Sequence, residues 1–139
     1  MPSPNPDKEK PKHKTTNDNR YEQYKNKFFI SVPITGHEEE ARELVSMTTT
    51  LLRETCPNIQ FYTPFEICQE VDKPYSYYMG KDIEKLLQCD AVIQMSGWNE
   101  SKGCRCEAAT ADIYGIKRIP WVKVKNSVKA CLELVLNDK

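Results

Sequence analysis

Between Lys27 and Leu136 the apolar residues fall into two alternating rhythms. Short apolar runs of four to seven residues occur at 27–32 (KFFISV), 59–62 (IQFY), 91–95 (AVIQM) and 116–122 (IKRIPWV). Runs of this length, rich in Val, Ile and Phe, predict strands buried on both faces. Pro120, which donates no ladder hydrogen bond, predicts an edge position or an early end for the last of them. The segments between carry helical spacing. A first helix opens at Thr35 or His37, with Ala41, Leu44, Val45, Thr48, Leu51 and Leu52 as its apolar stripe; Glu38, Glu39 and Glu40 sit in its first turn, where the helix dipole favours acids. Cys56-Pro57-Asn58 breaks it. A second helix runs from about Tyr75 to Gln88 with Ile83, Leu86 and Leu87 inward. A third runs from Ser101 to Tyr114 and stops at Gly115. A fourth, capped by Asn126 or Ser127, places Val128, Cys131, Leu132, Val135 and Leu136 on one face. Residues 65–74 read as a loop.

The order is strand then helix, four times over. Such alternation predicts an α/β fold, a flavodoxin-like or Rossmann-like three-layer sandwich. Its small parallel sheet has four or five strands with helices on both faces. There is no internal repeat. Neither G-x-G-x-x-G nor G-x-x-x-x-G-K-[ST] occurs, so neither a dinucleotide fingerprint nor a P-loop is supported. Residues 1–24 differ in kind: Pro2, Pro4, Pro6 and Pro11 alternate with Lys8, Lys10, Lys12 and Lys14 and almost nothing apolar. That composition predicts a disordered polar tail before a single domain at 25–139.

Charge narrows the partners. The chain has 20 basic and 20 acidic residues, a formal net charge of zero, which argues against a nucleic-acid polymer as ligand. No apolar run approaches the roughly 20 residues of a membrane span, and the polar N-terminus is no secretory signal. The six cysteines form no C-x-x-C pair and only two histidines accompany them, so no metal site is expected. Cys89 and Cys131 read as small core residues. The simplest assignment is free thiols in a reducing cytoplasm.

The chemistry concentrates between Asp90 and Gly115. A buried strand, the turn-forming Ser96-Gly97-Trp98-Asn99 and a helix follow one another. In a parallel sheet this unit brings loop and helix N-terminus to the carboxyl edge, where free N–H groups and the dipole favour an anion such as phosphate. Within the helix, Cys104, Ala108 and Ala111 form a small-residue stripe at i, i+4 and i+7, and Glu107 lies on or beside it. A carboxylate among small buried residues is costly unless something uses it. The alternative is a Glu at the stripe's rim, in solvent or paired with Arg105 or Lys102. Asp82, on the preceding helix, shares a face with Tyr78 and Leu86 and borders an apolar stripe in the same way. Asp90 reads as a turn or capping residue. After the first strand, Pro33-Ile34-Thr35-Gly36 makes a loop in which Thr35 offers a hydroxyl and Gly36 a close backbone approach. Tyr75, Tyr77 and Tyr78 either stack on a base or cover the core edge.

Three stretches together resemble the nucleoside 2-deoxyribosyltransferase-like superfamily. Phe29-Ile30-Ser31-Val32-Pro33-Ile34-Thr35-Gly36 is similar to its first strand and loop. Asp82 to Val92 (DIEKLLQCDAV) is similar to its D-x-x-x-L-x-x-x-D-A-V segment. Gly97 to Glu107 (GWNESKGCRCE) is similar to its G-W-x-x-S-x-G-x-x-x-E segment, in the form closest to the DUF4406 branch. The resemblance spans about Lys27 to Ile119. It departs at Val32, where a small residue is common, at His37, and at the cysteines flanking the glutamate.

The resemblance implies cleavage of the N-glycosidic bond of a nucleoside or nucleoside 5′-monophosphate, with transfer of the sugar to a new base or to water. It makes Glu107 the catalytic residue at C1′ of the sugar and Asp82 the acid that assists departure of the base. Ser101 matches a serine that contacts the 5′-phosphate. Pro33, Ile34, Thr35 and Gly36, with Gly97, Trp98 and Gly103, line the substrate site. The residue types suit the reaction. Positive charge builds on the sugar and negative charge on the base, so a carboxylate answers the first and a protonated carboxyl the second. No cofactor is implied, and a homodimer or higher homo-oligomer is, with Trp121 or the last helix at the interface. Two other functions are alternatives: a non-catalytic nucleotide-binding module acting as sensor or sponge, and an NAD-type glycohydrolase, against which the short Pro33–Gly36 loop counts because it leaves little room for a second nucleotide.

Overall fold

The computed structural model describes residues 26–126. The predicted tail and the predicted fourth helix from Ser127 onward lie outside the described residues.

Four parallel strands form one open sheet: β1 (Lys27–Ser31), β2 (Gln60–Tyr62), β3 (Ala91–Gln94) and β4 (Lys117–Pro120), in the order β2-β1-β3-β4. The registers are Phe28 with Phe61, Phe29 with Val92, and Ile93 with Ile119. The two central strands are buried along almost their whole length, which is why they read as unbroken apolar runs. Strand alternation divides the core in two. Phe28 and Ile30 face a cluster with Ala41, Val45, Leu52 and Val124. Phe29 and Val92 face the other side, with Leu86, Ala111 and Ile116.

The helices cover both faces. On the first lie α1 (Glu38–Thr55) and a final short helix, α5 (Trp121–Val124). On the second lie α3 (Tyr75–Leu86) and α4 (Lys102–Tyr114). The architecture is thus α/β with an all-parallel sheet, as the alternation predicts, with four strands among the described residues.

Two boundaries differ from the sequence expectation. Inside the 65–74 stretch a turn of helix, α2 (Pro64–Ile67), forms because Thr63 caps it: its hydroxyl accepts from the Glu66 N–H at 3.2 Å, and Pro64 has the fixed φ that suits a first helical residue. The fourth strand is shorter than 116–122. It is the edge strand and ends at Pro120, and Trp121 and Val122 turn into α5.

Strand order matters most for function. Going out from the β1/β3 pair, the connection after β1 leads to one edge and the connection after β3 to the other. The loops leaving β1 and β3 therefore diverge and leave a crevice at the carboxyl edge, the place where open α/β sheets bind ligands.

Candidate active site

Both crevice loops are built on glycine turns. After β1, the His37 N–H donates to the Ile34 carbonyl at 2.7 Å, closing a turn with Gly36 at φ +82°. After β3, the Trp98 N–H donates to the Met95 carbonyl at 3.2 Å, closing a turn with Gly97 at φ 86° and ψ 1°. That is the third position of a type II turn, where a side chain is strained. A single 3-10 turn (Trp98–Glu100) follows and delivers Ser101 as the N-cap of α4. Its hydroxyl accepts from the Cys104 N–H at 3.2 Å. The first-turn N–H groups of Lys102 and Gly103 have no acceptor within the helix by construction, and both residues line the crevice.

One turn further along α4 lies Glu107, 4% exposed. The rim alternative is therefore excluded: it reaches neither Arg105 nor Lys102 but the end of β1. The fully buried Ser31 donates its hydroxyl proton to Glu107 Oε1 at 2.6 Å. Asp82 approaches from α3, 8% exposed, with no hydrogen-bond partner among the described residues. Both carboxyls line one cavity of about 660 Å³. Its floor is Glu107, Cys104 and Asp82; Phe65, Val71, Tyr78 and Met79 supply apolar walls, and Arg42, Gln69 and Asp72 stand at polar positions around it.

Burial governs the protonation of the pair. It pushes the Asp82 carboxyl up to about 7. It pushes Glu107 up to about 8; the Ser31 hydrogen bond opposes that rise and the Asp82 charge adds to it. Two carboxyl groups thus hold protons near neutral pH in a water-accessible cavity, the condition general acid–base work requires.

A second, more open cavity of about 700 Å³ adjoins the first. The two share Val32, Ile34, Thr35, Tyr75, Ser101 and Gly103 as walls. Beyond them the second is lined by Pro33, Gly97, Ser96, His37, Lys102 and Leu44, with Glu40 and Glu100. Tyr75, 56% exposed, stands where the cavities meet. A methyl group at Gly103 would lie 2.9 Å from the Tyr75 hydroxyl and 3.3 Å from Met79 Sδ, so this glycine is what lets the tyrosine rest on the start of α4.

Most of the residues singled out from the sequence converge here: Glu107, Asp82, Pro33, Ile34, Thr35, Gly97, Ser101 and Gly103 all line one or both cavities. Gly36 shapes its turn without lining either. Trp98 lies apart, in a separate depression with Lys117 and Arg118, its ring 5.3 Å from the Arg118 guanidinium. The three tyrosines separate as well. The Tyr77 hydroxyl donates to Glu70. The Tyr78 hydroxyl donates to the Glu70 carbonyl at 3.0 Å and accepts the Lys73 N–H at 3.1 Å, pinning the 68–74 loop against α3. Only Tyr75 of the three borders both cavities. Ser31 is the residue that sequence reasoning passed over. The signal was present: it lies two residues beyond Phe29 on the same strand, and so faces α3 and α4.

Fold and site together define the class: an α/β protein whose parallel sheet opens, at its central switch point, onto a crevice floored by two buried carboxyl groups. Residues 26–119 match the model of a family described as a domain of unknown function, DUF4406, and the chain belongs to that family. No curated protein and no solved structure matches it.

Proposed function

We propose that this protein cleaves the N-glycosidic bond of a nucleoside or nucleoside 5′-monophosphate, as the superfamily its motifs resemble does. The observation that carries the reading is the carboxyl pair. Burying Glu107 and Asp82 is costly, and both face a cavity large enough for a nucleotide. With the sugar over Glu107, the base extends toward Asp82 and the apolar wall of Phe65, Val71 and Tyr78, and the 5′ position toward Ser101 and the start of α4. The C1′–N bond breaks with its electron pair going to the base nitrogen. Asp82 gives that nitrogen its proton. The ionised Glu107 either stabilises the cationic sugar or bonds to C1′, and water or a second base then takes the sugar while Asp82 recovers a proton from the incoming group. No cofactor enters the scheme.

The second cavity favours one variant of this reading. Space past Ser101, floored by Gly97 and bordered by Lys102, suits a ligand that continues beyond the 5′-phosphate, as in an NAD-type substrate. We also propose a homo-oligomer, on the strength of the family resemblance and of Leu44, Met47 and Leu51, which form an exposed stripe at i, i+3 and i+7 on α1. A cytoplasmic location is supported by the five free thiols among the described residues. Among those residues no helix is long and apolar enough to cross a membrane.

The test is a substrate panel: deoxy- and ribonucleosides, their 5′-monophosphates and NAD, with free base read by liquid chromatography and Glu107→Gln run alongside. Base release that vanishes in the variant is the expected result. Release that survives in the variant refutes the assignment of Glu107. No release from any substrate, with one ligand raising the melting temperature, supports the binding-module alternative. Light scattering that reports a monomer at micromolar concentration overturns the oligomer.

A further inference from the structure

We propose that Ser31 is a positioning residue of this site: its hydroxyl pins Oε1 of Glu107, so that Oε2 is the oxygen presented to the sugar carbon. The inference rests on the N-glycosidase reading for its chemical consequence, but its geometry stands independently.

Ser31 closes β1 and is fully buried. Its carbonyl accepts the Met95 N–H at 3.0 Å, so the central strand pair fixes its backbone. Its hydroxyl meets Glu107 Oε1 at 2.6 Å, within the range of a strong hydrogen bond to a carboxylate. Burial pushes the neighbouring Cys104 thiol up, and the Ser101 and Ser31 hydroxyls oppose that rise. Among the described residues every side-chain polar atom sealed from solvent has a hydrogen bond, and the Ser31 bond is the one that Glu107 accepts. Oε2 must therefore be the atom through which Glu107 reaches the cavity surface. One oxygen is held and the other is presented. A carboxylate with both oxygens free rotates about its last torsion and offers the reacting oxygen only part of the time.

The hydroxyl has a second consequence. A hydrogen bond donated to the ionised form favours that form, so Ser31 offsets part of the burial that keeps Glu107 protonated. The other groups facing Glu107 act differently. Asp82 faces it from α3, and its charge raises the Glu107 carboxyl; the Glu107 charge in turn raises the Tyr75 hydroxyl on α3 and the Cys104 thiol on its own helix. Across the cavity stand Glu38 and Arg42 of α1, with Glu70 and Asp72 of the following loop. None of these donates a hydrogen bond to Glu107.

The experiment titrates Glu107 directly in the full-length protein labelled with 13C at the glutamate carboxyl carbons, its signal assigned by loss in Glu107→Gln. Wild type, Ser31→Ala and Ser31→Cys are compared. The pKa of Glu107 is expected to rise by about one to two units in Ser31→Ala and by less in Ser31→Cys, whose thiol is a weaker donor of similar size. Base release should follow: kcat falls about tenfold or more in Ser31→Ala while KM stays within about threefold, and the acid limb of the pH profile moves up with the titration. A titration curve that overlays wild type in folded Ser31→Ala refutes the proposal. If Ser31→Ala does not fold, an unshifted curve in Ser31→Cys refutes it equally. Should wild type release no base from any substrate, the N-glycosidase reading fails, while the titration still decides whether Ser31 sets the ionisation of Glu107.

Discussion

Replacing Glu107 with glutamine should make the protein less sensitive to rising pH, and the size of the effect can be worked out. In the unfolded chain the carboxyl titrates at its ordinary 4.5; in the folded protein burial holds it protonated to about 8. Below pH 4.5 both states carry the proton, and the stability that goes with it is fully present. Above that value the unfolded state ionises and the folded state does not, so the folded state binds more protons and each further pH unit costs about 1.4 kcal/mol. The stability is lost as pH rises through the window and the loss is complete near the folded value. Integrated from pH 5 to pH 8, the contribution of Glu107 falls by about 3 to 4 kcal/mol. Glutamine has the same shape, still accepts the Ser31 hydrogen bond through its carbonyl oxygen, and does not ionise. Equilibrium urea unfolding of both proteins at pH 5, 6, 7 and 8 provides the assay, because titrating groups that do not interact with Glu107 cancel in the difference between them. That difference should move by about 3 to 4 kcal/mol in favour of the glutamine variant across the range, roughly 2 M in midpoint for a urea slope near 1.7 kcal/mol/M. Parallel curves would refute the argument, since they would mean that Glu107 titrates alike in the two states.

Three further outcomes are expected. Base release should follow a bell-shaped kcat/KM profile centred near pH 7.5: Asp82, the acid, loses its proton near 7 while Glu107 ionises near 8, so the working form, with Glu107 charged and Asp82 protonated, amounts to about one molecule in twenty at its peak. A profile that rises steadily from pH 5 to pH 9 would contradict this assignment of roles. Gly103→Ala should displace the Tyr75 hydroxyl, a flexible side-chain end, so thermal unfolding should change by less than about 1 kcal/mol while ligand affinity changes clearly; equal losses in both measurements would mean that the glycine serves only folding. Ser101→Ala removes the cap on the Cys104 N–H and should cost about 1 kcal/mol, or about 3 to 5 °C in Tm; a KM that rises for monophosphates and not for nucleosides would place the phosphate at this helix start.

Much of the fold was legible in the sequence because its signals are local. The buried strands 27–32 and 91–95 announce themselves as apolar runs, and the third helix has its start at Ser101 and its stop at Gly115 written in the chain. What was less legible depended on local competition: Thr63 and Pro64 nucleate a helical turn inside a loop-like stretch, and Pro120 and Trp121 exchange strand for helix one residue later. The site was harder to read for a different reason. The spacing of Cys104, Ala108 and Ala111 put Glu107 on the stripe or at its rim, and a helical pattern alone cannot choose between them. The choice is made by Ser31, 76 residues away, and only the β1–β3 pairing brings the two together. In the same way, three tyrosines within four residues differ in role because a helix turns by about 100° per residue, and which one meets the crevice depends on where α3 begins.

The span from Ser31 to Glu107 also bears on the time at which the crevice comes into being. During synthesis the chain presents Ser31 early, and α1 and β2 can settle against β1 while Glu107 has yet to be made. A chain arrested before α4 has a partial sheet, the loop that leaves β3 and half a cavity, but not the helix that carries the second carboxyl. The helix that brings Glu107 to Ser31 is thus made after both central strands, so a chain halted before it lacks the carboxyl pair, and β1 must pair with β3 before the two residues can meet.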